Sequence, residues 1–269
     1  MRKTIALILA LISTSTCNSQ TAIEYYNRGN AKGSLQDYRG AIADYIEAIE
    51  LKPDYSKAYN NRGIAKKSLQ DYIGAIADFN KSIELDPDDP TTYFNRGVAK
   101  ARLQDYRGAI VDNTKAIELK PDYADAYMNR GGAKGSLQDN RGAIADFTKS
   151  IEIKPDNPNT YFNRGFAKYE LQDYIGAISD FNKAIELDPG NPKFYYYRGI
   201  AKAKLQDYRG ANADYSKSIE LKPDFAYSYF NRGLSKIKLG QKDNGCLDLS
   251  KAGELGSSEA YDAIKEFCN

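Results

Sequence analysis

An arginine-glycine pair recurs at a fixed interval of 34 residues through most of this 269-residue chain. The seven pairs begin at Arg28, Arg62, Arg96, Arg130, Arg164, Arg198 and Arg232. A tyrosine stands three positions before each arginine, and six of the repeats end at a proline. A period of about 20–50 residues indicates a repeat array, in which each unit buries its apolar face against its neighbours. The chain is therefore expected to fold as seven stacked units instead of one or two ordinary domains.

Composition excludes several kinds of site. The chain has no histidine, which excludes a Ser-His-Asp triad, a Cys-His dyad and an imidazole metal site. Three cysteines are too few for a four-thiolate zinc site. No glycine-rich phosphate loop and no cluster of metal-ligand residues occurs in the sequence. We therefore expect a chain that is not an enzyme and that holds neither a metal nor another cofactor.

Each repeat has the pattern of two helices, called helix A and helix B. In the second repeat, helix A is expected from about Lys57 to Leu69. Helix B is expected to start after Asp71, which is a typical N-cap residue, and to end near Leu85. Pro87 then ends the unit, because proline cannot continue a helix interior.

The spacing of these tyrosine, glycine, alanine, aromatic and proline positions resembles the tetratricopeptide repeat. The resemblance implies an all-α fold, namely an α-solenoid wound as a right-handed superhelix, with a C-terminal capping helix. Residues 20–256 would form the repeat region, and residues 257–269 the cap. The seven repeats are expected at 22–55, 56–89, 90–123, 124–157, 158–191, 192–225 and 226–256.

Residues 1–19 have the pattern of a secretory signal peptide. Arg2 and Lys3 precede an apolar run from Ile5 to Ile12, and small polar residues follow. Cleavage after Ser19 would give an exported protein, located in the periplasm, in the cell envelope or outside the cell. Alternatively, Cys17 would be lipidated, as in bacterial lipoproteins. Membrane contact is expected only through the signal peptide or this anchor.

The net charge of +2 belongs wholly to the predicted signal peptide, which contains two basic residues and no acidic one. The mature chain is therefore neutral. It lacks the excess of basic residues that nucleic-acid binding normally requires. We expect a protein or an extended peptide as the partner, and no nucleic acid.

Cys246 and Cys268 are the two cysteines outside the leader. An even pair in an exported protein is a candidate disulfide. Cys246 lies early in the predicted last helix B, and Cys268 lies just after the predicted capping helix. Antiparallel packing of these helices would bring the two residues together, so we expect a disulfide in an oxidising compartment. The alternative is a pair of buried thiols.

Three positions of every repeat depart from the tetratricopeptide outline, and the mildest change is the tyrosine that replaces the expected tryptophan, three positions before each arginine. The expected leucine is the arginine of the Arg-Gly pair, and the expected second tyrosine is a lysine four residues later. An aspartate on helix B also recurs once per repeat, as Asp44, Asp78, Asp112, Asp146, Asp180, Asp214 and Asp248. We predict that each arginine pairs with the aspartate of its own or a neighbouring repeat, because a buried arginine requires a partner. The alternative is a basic stripe that binds an anionic ligand.

Two further columns of helix A would line the concave side, where helix A lies in this family. The amide column consists of Asn27, Asn61, Asn95, Asn129, Asn163 and Asn231, with Tyr197 in the sixth repeat. The apolar column consists of Tyr26, Phe94, Met128, Phe162, Tyr196 and Phe230. The amides resemble the asparagine ladder that holds a peptide backbone in the repeat region of O-GlcNAc transferase. A carboxamide has both a donor and an acceptor for an extended peptide. The alternative is structural: the amides bond to neighbouring helices, and the apolar residues pack between repeats.

Three functions are compatible with this sequence. The first is a non-catalytic scaffold that holds a peptide or protein along the concave groove. The second is a lipid-anchored accessory subunit that organises an envelope complex through its convex face or its ends. The third is part of a glycosyltransferase-type enzyme. The third is least favoured, because the repeats leave only short segments at either end of the sequence. We expect the scaffold.

Overall fold

A computed structural model describes residues 21–268, in which all regular structure is α-helical. The described chain divides into two compact units between Ala133 and Lys134. The predicted signal peptide (1–19), Cys17 and the last residue of the predicted cap lie outside the described residues.

The described part of the chain contains fifteen helices, arranged as A and B helices in turn. The first six are α1 (21–34), α2 (Tyr38–Leu51), α3 (Ser56–Ser68), α4 (Tyr72–Leu85), α5 (Pro90–Arg102) and α6 (Tyr106–Leu119). Helix α7 (Ala124–Ser136) begins in the first unit, and its last turn belongs to the second. The others are α8 (Asn140–Ile153), α9 (Pro158–Glu170), α10 (Tyr174–Leu187), α11 (Pro192–Lys204), α12 (Tyr208–Leu221), α13 (Ala226–Lys238), α14 (Lys242–Glu254) and α15 (Ser258–Phe267).

Both units are built from stacked helix pairs. In the first unit, α3 packs on α4 and α5 packs on α6, and contacts between α4 and α5 join the two pairs. In the second unit, α9–α10, α11–α12 and α13–α14 are the pairs, and α15 packs on α14. The predicted all-α solenoid of two-helix repeats is therefore confirmed.

Acidic caps and prolines set the starts of the helices. Asp105 precedes α6, and its Oδ1 accepts a hydrogen bond of 2.9 Å from the Gly108 amide. This bond satisfies one of the amide groups that the first turn of a helix leaves unpaired. Pro90 occupies the first position of α5, where the missing N–H would have had no partner within the helix.

The glycine of each Arg-Gly pair permits close packing of the two helices in a repeat. A Cβ atom added to Gly63 would lie 2.7 Å from Cε1 of Phe79, which is fully buried. Since carbon atoms in contact are about 3.5–4.0 Å apart, any larger residue would push α3 away from α4.

The turn between helices A and B has a feature that the sequence did not reveal. Six glutamines adopt a left-handed conformation with φ between 62° and 64°. They are Gln36, Gln70, Gln104, Gln138, Gln172 and Gln206. This conformation is unfavourable for a residue with a Cβ atom. The seventh repeat has Gly240 at the equivalent turn, with φ 78°.

The C-terminal helix is joined to the last repeat by a disulfide. Cys246 on α14 and Cys268 after α15 are bonded, with their Cα atoms 5.9 Å apart. Ala260 and Ala263 of α15 are buried. Ser257 stands at the N-cap position without capping the helix through its side chain, because its hydroxyl donates to Glu259 instead.

Candidate functional site

The Arg, Lys and Asp columns form one ionic network per repeat. In the second repeat, Arg62 donates from Nε and Nη2 to the two carboxylate oxygens of Asp78, at 3.0 and 2.6 Å. Nζ of Lys66 lies 2.8 Å from Asp78 Oδ2. The aspartate therefore lies between two cations of its own repeat and offsets their mutual repulsion. The same arginine-aspartate contact joins Arg28–Asp44, Arg96–Asp112, Arg164–Asp180, Arg198–Asp214 and Arg232–Asp248.

In the fourth repeat, Arg130 lies in the first unit and Asp146 lies in the second. The pairing of these two residues therefore stays a prediction. Lys134, in the second unit, lies 2.8 Å from Asp146. At the start of the array, the hydrogen bond from Arg28 holds the pKa of Asp44 below its usual value, against the opposing effect of burial.

Each internal arginine is also covered by the preceding repeat. Nη1 of Arg96 donates to Asn80 on the preceding helix B at 2.7 Å, and only 17% of the Arg96 side chain is exposed. Arg28 belongs to the first described repeat, and 57% of its side chain is exposed. Because the internal arginines are paired with buried aspartates, this column is a poor surface for an anionic ligand.

The amides of the first unit are mostly engaged within the protein. Asn61 Nδ2 donates to Tyr26 Oη at 3.0 Å and to Asn30 Oδ1 at 2.8 Å. Asn95 is buried, and its Oδ1 accepts a bond of 2.8 Å from Lys67 Nζ. These contacts join helix A of one repeat to helix A of the next, which corresponds to the structural role of the column.

The two ends of the amide column in the first unit differ. Asn129 Nδ2 lies 3.5 Å from Oδ1 of Asn113, a fully buried residue that donates in turn to the Ala109 carbonyl at 2.7 Å. Asn27, on α1, is exposed. The structure thus places Asn27 where a ligand can reach it, and it turns Asn129 toward the core.

The second unit contains fewer amides in this column. Asn231 Nδ2 donates to the Tyr227 carbonyl at 2.9 Å and to Tyr196 Oη at 3.3 Å. Asn163 is half-buried and has no hydrogen-bond partner among the residues that the structure describes. Tyr197 replaces the amide between them.

Aromatic members of the apolar column pack against other rings. In the first unit, Tyr26 lies 4.9 Å from Tyr55 between ring centroids, and Phe94 lies 5.1 Å from Tyr123. In the second unit, Phe162 is surrounded by three rings, and Tyr196 by four, at centroid distances of 5.0–6.5 Å. Met128 and Phe230 are half-buried. Packing between repeats therefore accounts for much of this column.

An open cleft with aromatic walls lies in the second unit, and we call it the aromatic cleft. Its volume is about 510 Å³, within the range of small-ligand and side-chain pockets. It is lined by Phe162, Lys193, Tyr196, Tyr197, Phe225 and Tyr227. Tyr227 is 56% exposed. Its ring is therefore accessible to a ligand in the cleft.

The polar groups of the aromatic cleft are mainly donors. Burial raises the pKa of Tyr196 to about 12, so its hydroxyl is protonated at neutral pH. That oxygen accepts from Asn231. Its own proton has no acceptor among the described residues, so it can be donated to a ligand. The ammonium group of Lys193 is a second donor. A ligand with an apolar side chain and backbone carbonyls would satisfy both the rings and the donors.

Sequence reasoning found Phe162 and Tyr196 but missed the other members of the aromatic cleft. In the sequence, Tyr197 is visible only as a break in the amide column. Phe225 and Tyr227 stand at positions whose residue type varies from repeat to repeat, so periodicity gave no signal there. Within residues 21–268, no group of acidic or cysteine side chains is placed to hold a metal ion. No helix in that range is long and apolar enough to cross a bilayer.

Comparison with known families finds the same repeat in several parts of the chain. The model described as TPR repeat matches residues 65–104, 133–172 and 167–206. Two models described as tetratricopeptide repeat match residues 22–55 and 90–123. No curated protein matches the chain.

Several solved structures share this fold. YrrB, described as a TPR protein with an unusual peptide-binding site, is 21% identical, with a TM-score of 0.61; the match covers 70% of this chain and 97% of YrrB. MamA is 27% identical, with a TM-score of 0.58, over 63% of this chain and 93% of MamA. A tetratricopeptide repeat protein from Parabacteroides merdae is 20% identical, with a TM-score of 0.67, over 92% of this chain and 97% of its own.

Proposed function

We propose that this chain, which belongs to the tetratricopeptide repeat family, is a non-catalytic scaffold that binds an extended peptide or protein segment through the helix A face. The observation that carries the proposal is the aromatic cleft of the second unit. In that cleft, partly exposed rings surround a space large enough for an apolar side chain. At protein interfaces a few residues carry most of the binding energy, and tyrosine is enriched among them. Phenylalanine and tyrosine also bury a large apolar area in such pockets.

The arrangement of polar groups supports a peptide as the ligand. Asn163 has spare donors and an acceptor, and Tyr196 and Lys193 are donors beside the rings. A peptide in an extended conformation presents backbone N–H and C=O groups at regular intervals, together with a side chain for the cleft. The peptide-binding site named for YrrB shows that a protein of this fold has such a site.

The proposed setting is outside the cytoplasm. The leader of residues 1–19 supports export, and the Cys246–Cys268 disulfide is compatible with an oxidising compartment. Mass spectrometry of the protein from its native host tests this: cleavage after Ser19 supports export, and an intact leader refutes it. Palmitate labelling that is lost in Cys17→Ser would establish a lipid anchor.

The peptide-binding proposal is tested by fluorescence anisotropy with the chain from residue 20 onward. The probes are labelled dodecapeptides of glycine and serine with one central phenylalanine, leucine or serine. We expect the phenylalanine and leucine peptides to bind, and the serine peptide to bind at least tenfold more weakly, because burial of an apolar side chain in the cleft is favourable.

Tyr197→Asn is the decisive variant, because it inserts the residue that other repeats have and removes one wall of the cleft. It should weaken the phenylalanine peptide at least tenfold. Tyr208→Asn is the matched control: it makes the same change in the same repeat, at a position where the fourth repeat has Asn140. Equal affinities in the two variants would refute binding at the cleft. Native partner capture that Tyr197→Asn leaves intact would favour the accessory subunit that acts through its convex face or ends.

A further inference from the structure

We propose a second binding site, in the first unit, that holds acidic side chains of a bound segment by means of Lys67, Asn95 and Arg102. The aromatic cleft lies in the second unit, so a test of this site is independent of a test of the cleft. Lys67 is on α3, and the other two residues are on α5.

Lys67 is a half-buried cation that lacks a counter-charge. Its Nζ donates to Asn95 Oδ1 at 2.8 Å, and no carboxylate partner for it exists among the described residues. By contrast, the neighbouring Lys66 lies 2.8 Å from Asp78. A partly desolvated ammonium group beside a neutral amide is electrostatically unsatisfied, so an added anion would be stabilised there.

Arg102 adds a second positive charge on the same side. It follows Asn95 by seven residues on α5, which places both on one face of the helix, about 10 Å apart along its axis. Arg102 is exposed and has no acidic partner within residues 21–268. Burial, and then the charge of Arg102, lower the pKa of Lys67. The two cations therefore disfavour each other, and a negative charge between them would relieve that repulsion.

The repeat fold does not require these residues. The positions equivalent to Lys67 are occupied by Gly33, Ala101, Gly135, Tyr169, Ala203 and Ile237. Three of the six positions equivalent to Arg102 are serines, and one is Glu170. The combination of a lysine and an arginine around an amide is thus specific to the second and third repeats.

The spacing of the charges identifies the ligand as side-chain carboxylates and not a chain terminus. A terminal carboxylate is a single point, and it would suit cations that converge on one place. Here the ammonium group of Lys67 is held at Asn95, and Arg102 lies two helical turns farther along α5. This arrangement suits an extended segment with successive acidic side chains. Asn95 Nδ2 has no acceptor among the described residues, so it can donate to a carboxylate or to the backbone between two of them.

The experiment compares three labelled dodecapeptides of glycine and serine in low salt. The first contains three aspartates and is blocked at both ends, the second has asparagine in their place, and the third is the asparagine peptide with a free C-terminal carboxylate. We expect the aspartate peptide to bind at least tenfold more tightly than either of the others. We also expect NMR titration to show a higher pKa for Lys67 when that peptide is bound.

Lys67→Met and Arg102→Gln should each remove most of the preference for aspartate, which is about tenfold or more for a charge-assisted contact. Arg107→Gln, which removes an exposed arginine of the first unit, is the control and should leave the preference intact. Circular dichroism verifies folding, and Arg102→Gln decides the question if Lys67→Met does not fold. An equal loss in Arg107→Gln, or equal binding of the peptide with a free C-terminus, would overturn the proposal.

Discussion

Asp112→Asn tests whether the ionic network holds each helix pair together. Asp112 is 1% exposed in its side chain and receives hydrogen bonds from two groups of Arg96, at 2.9 and 2.6 Å. Lys100 contacts the same carboxylate at 2.8 Å. Asparagine has nearly the same shape but no charge, so the variant leaves two cations facing each other across a neutral amide.

The expected cost follows from burial. Removal of one partner from a buried ion pair costs about 3–5 kcal/mol. Arg96 and Lys100 retain 17% and 22% of their side-chain exposure, so water solvates them partly, and we expect the lower end, about 3 kcal/mol. Hydrogen exchange is the suitable assay, because a repeat array opens locally. Amides of α5 and α6 should lose about 100-fold in protection, since each 1.4 kcal/mol is tenfold.

Asp44→Asn is the matched control, because it removes the same carboxylate where the cations are open to water. Arg28 is 57% exposed and Lys32 is 35% exposed, and ion pairs that are open to water contribute little to stability, because water and salt screen them. We expect a loss of no more than tenfold in the protection of α2. Equal losses in the two variants, or a loss below tenfold in Asp112→Asn, would refute the reasoning from burial.

A triple variant tests whether apolar residues can replace the ionic network without loss of stability. Arg96→Leu and Lys100→Tyr restore the residues of the family outline, and Asp112→Ala removes the charge that they leave behind. Replacement of a whole buried ionic cluster by apolar residues is often neutral or stabilising. We therefore expect the protection of α5 and α6 to return to within about tenfold of the original value.

Three further changes have defined outcomes. Asn212→Ile should raise the free energy of unfolding by about 1–2 kcal/mol in urea denaturation, because Asn212 Oδ1 is buried without a partner and five other repeats have isoleucine there. Gln104→Gly should stabilise by about 1 kcal/mol in the same assay, because it relieves the left-handed conformation that Gly240 adopts without strain. Reduction of the Cys246–Cys268 disulfide should lower the protection of α15 by about 3 kcal/mol in hydrogen exchange, because the bond closes a loop between residues 22 apart.

The fold was predictable because its determinants are periodic. The Arg-Gly pair gave the repeat length, and Asp71 and Pro87 gave the start of α4 and the end of its repeat. The glycine of the pair is periodic for a packing reason, because Gly63 lets α3 approach Phe79 on α4 closely. These signals are local, and each recurs in at least six of the seven repeats, so a single sequence shows the same pattern several times.

The left-handed glutamines were not predictable in the same way. Glutamine has no special tendency toward positive φ, unlike glycine, asparagine or aspartate. The conformation arises because two helices must be joined by a short turn, and Gln70 stands where the chain reverses between α3 and α4. The one hint was Gly240, at the equivalent position of the seventh repeat.

The aromatic cleft was hidden because its residues are aperiodic. Phe225 and Tyr227 come from the start of α13 and Lys193 from the start of α11. Such residues become neighbours only when successive helices stack. Periodic columns describe what every repeat needs, and a binding site is formed by the residues that differ from repeat to repeat.

The amide column illustrates the same distinction within one set of residues. Asn61 uses both of its donor hydrogens on Tyr26 and Asn30, so it cannot donate to a peptide without breaking those bonds. Asn163 has no such partners among the described residues. The amide column is therefore not a uniform ladder of free amides for a peptide, although its sequence is nearly uniform. The groups that can contact a ligand therefore differ from repeat to repeat, as Asn163 and Tyr197 do, and this is why the variants proposed for the aromatic cleft change single repeats.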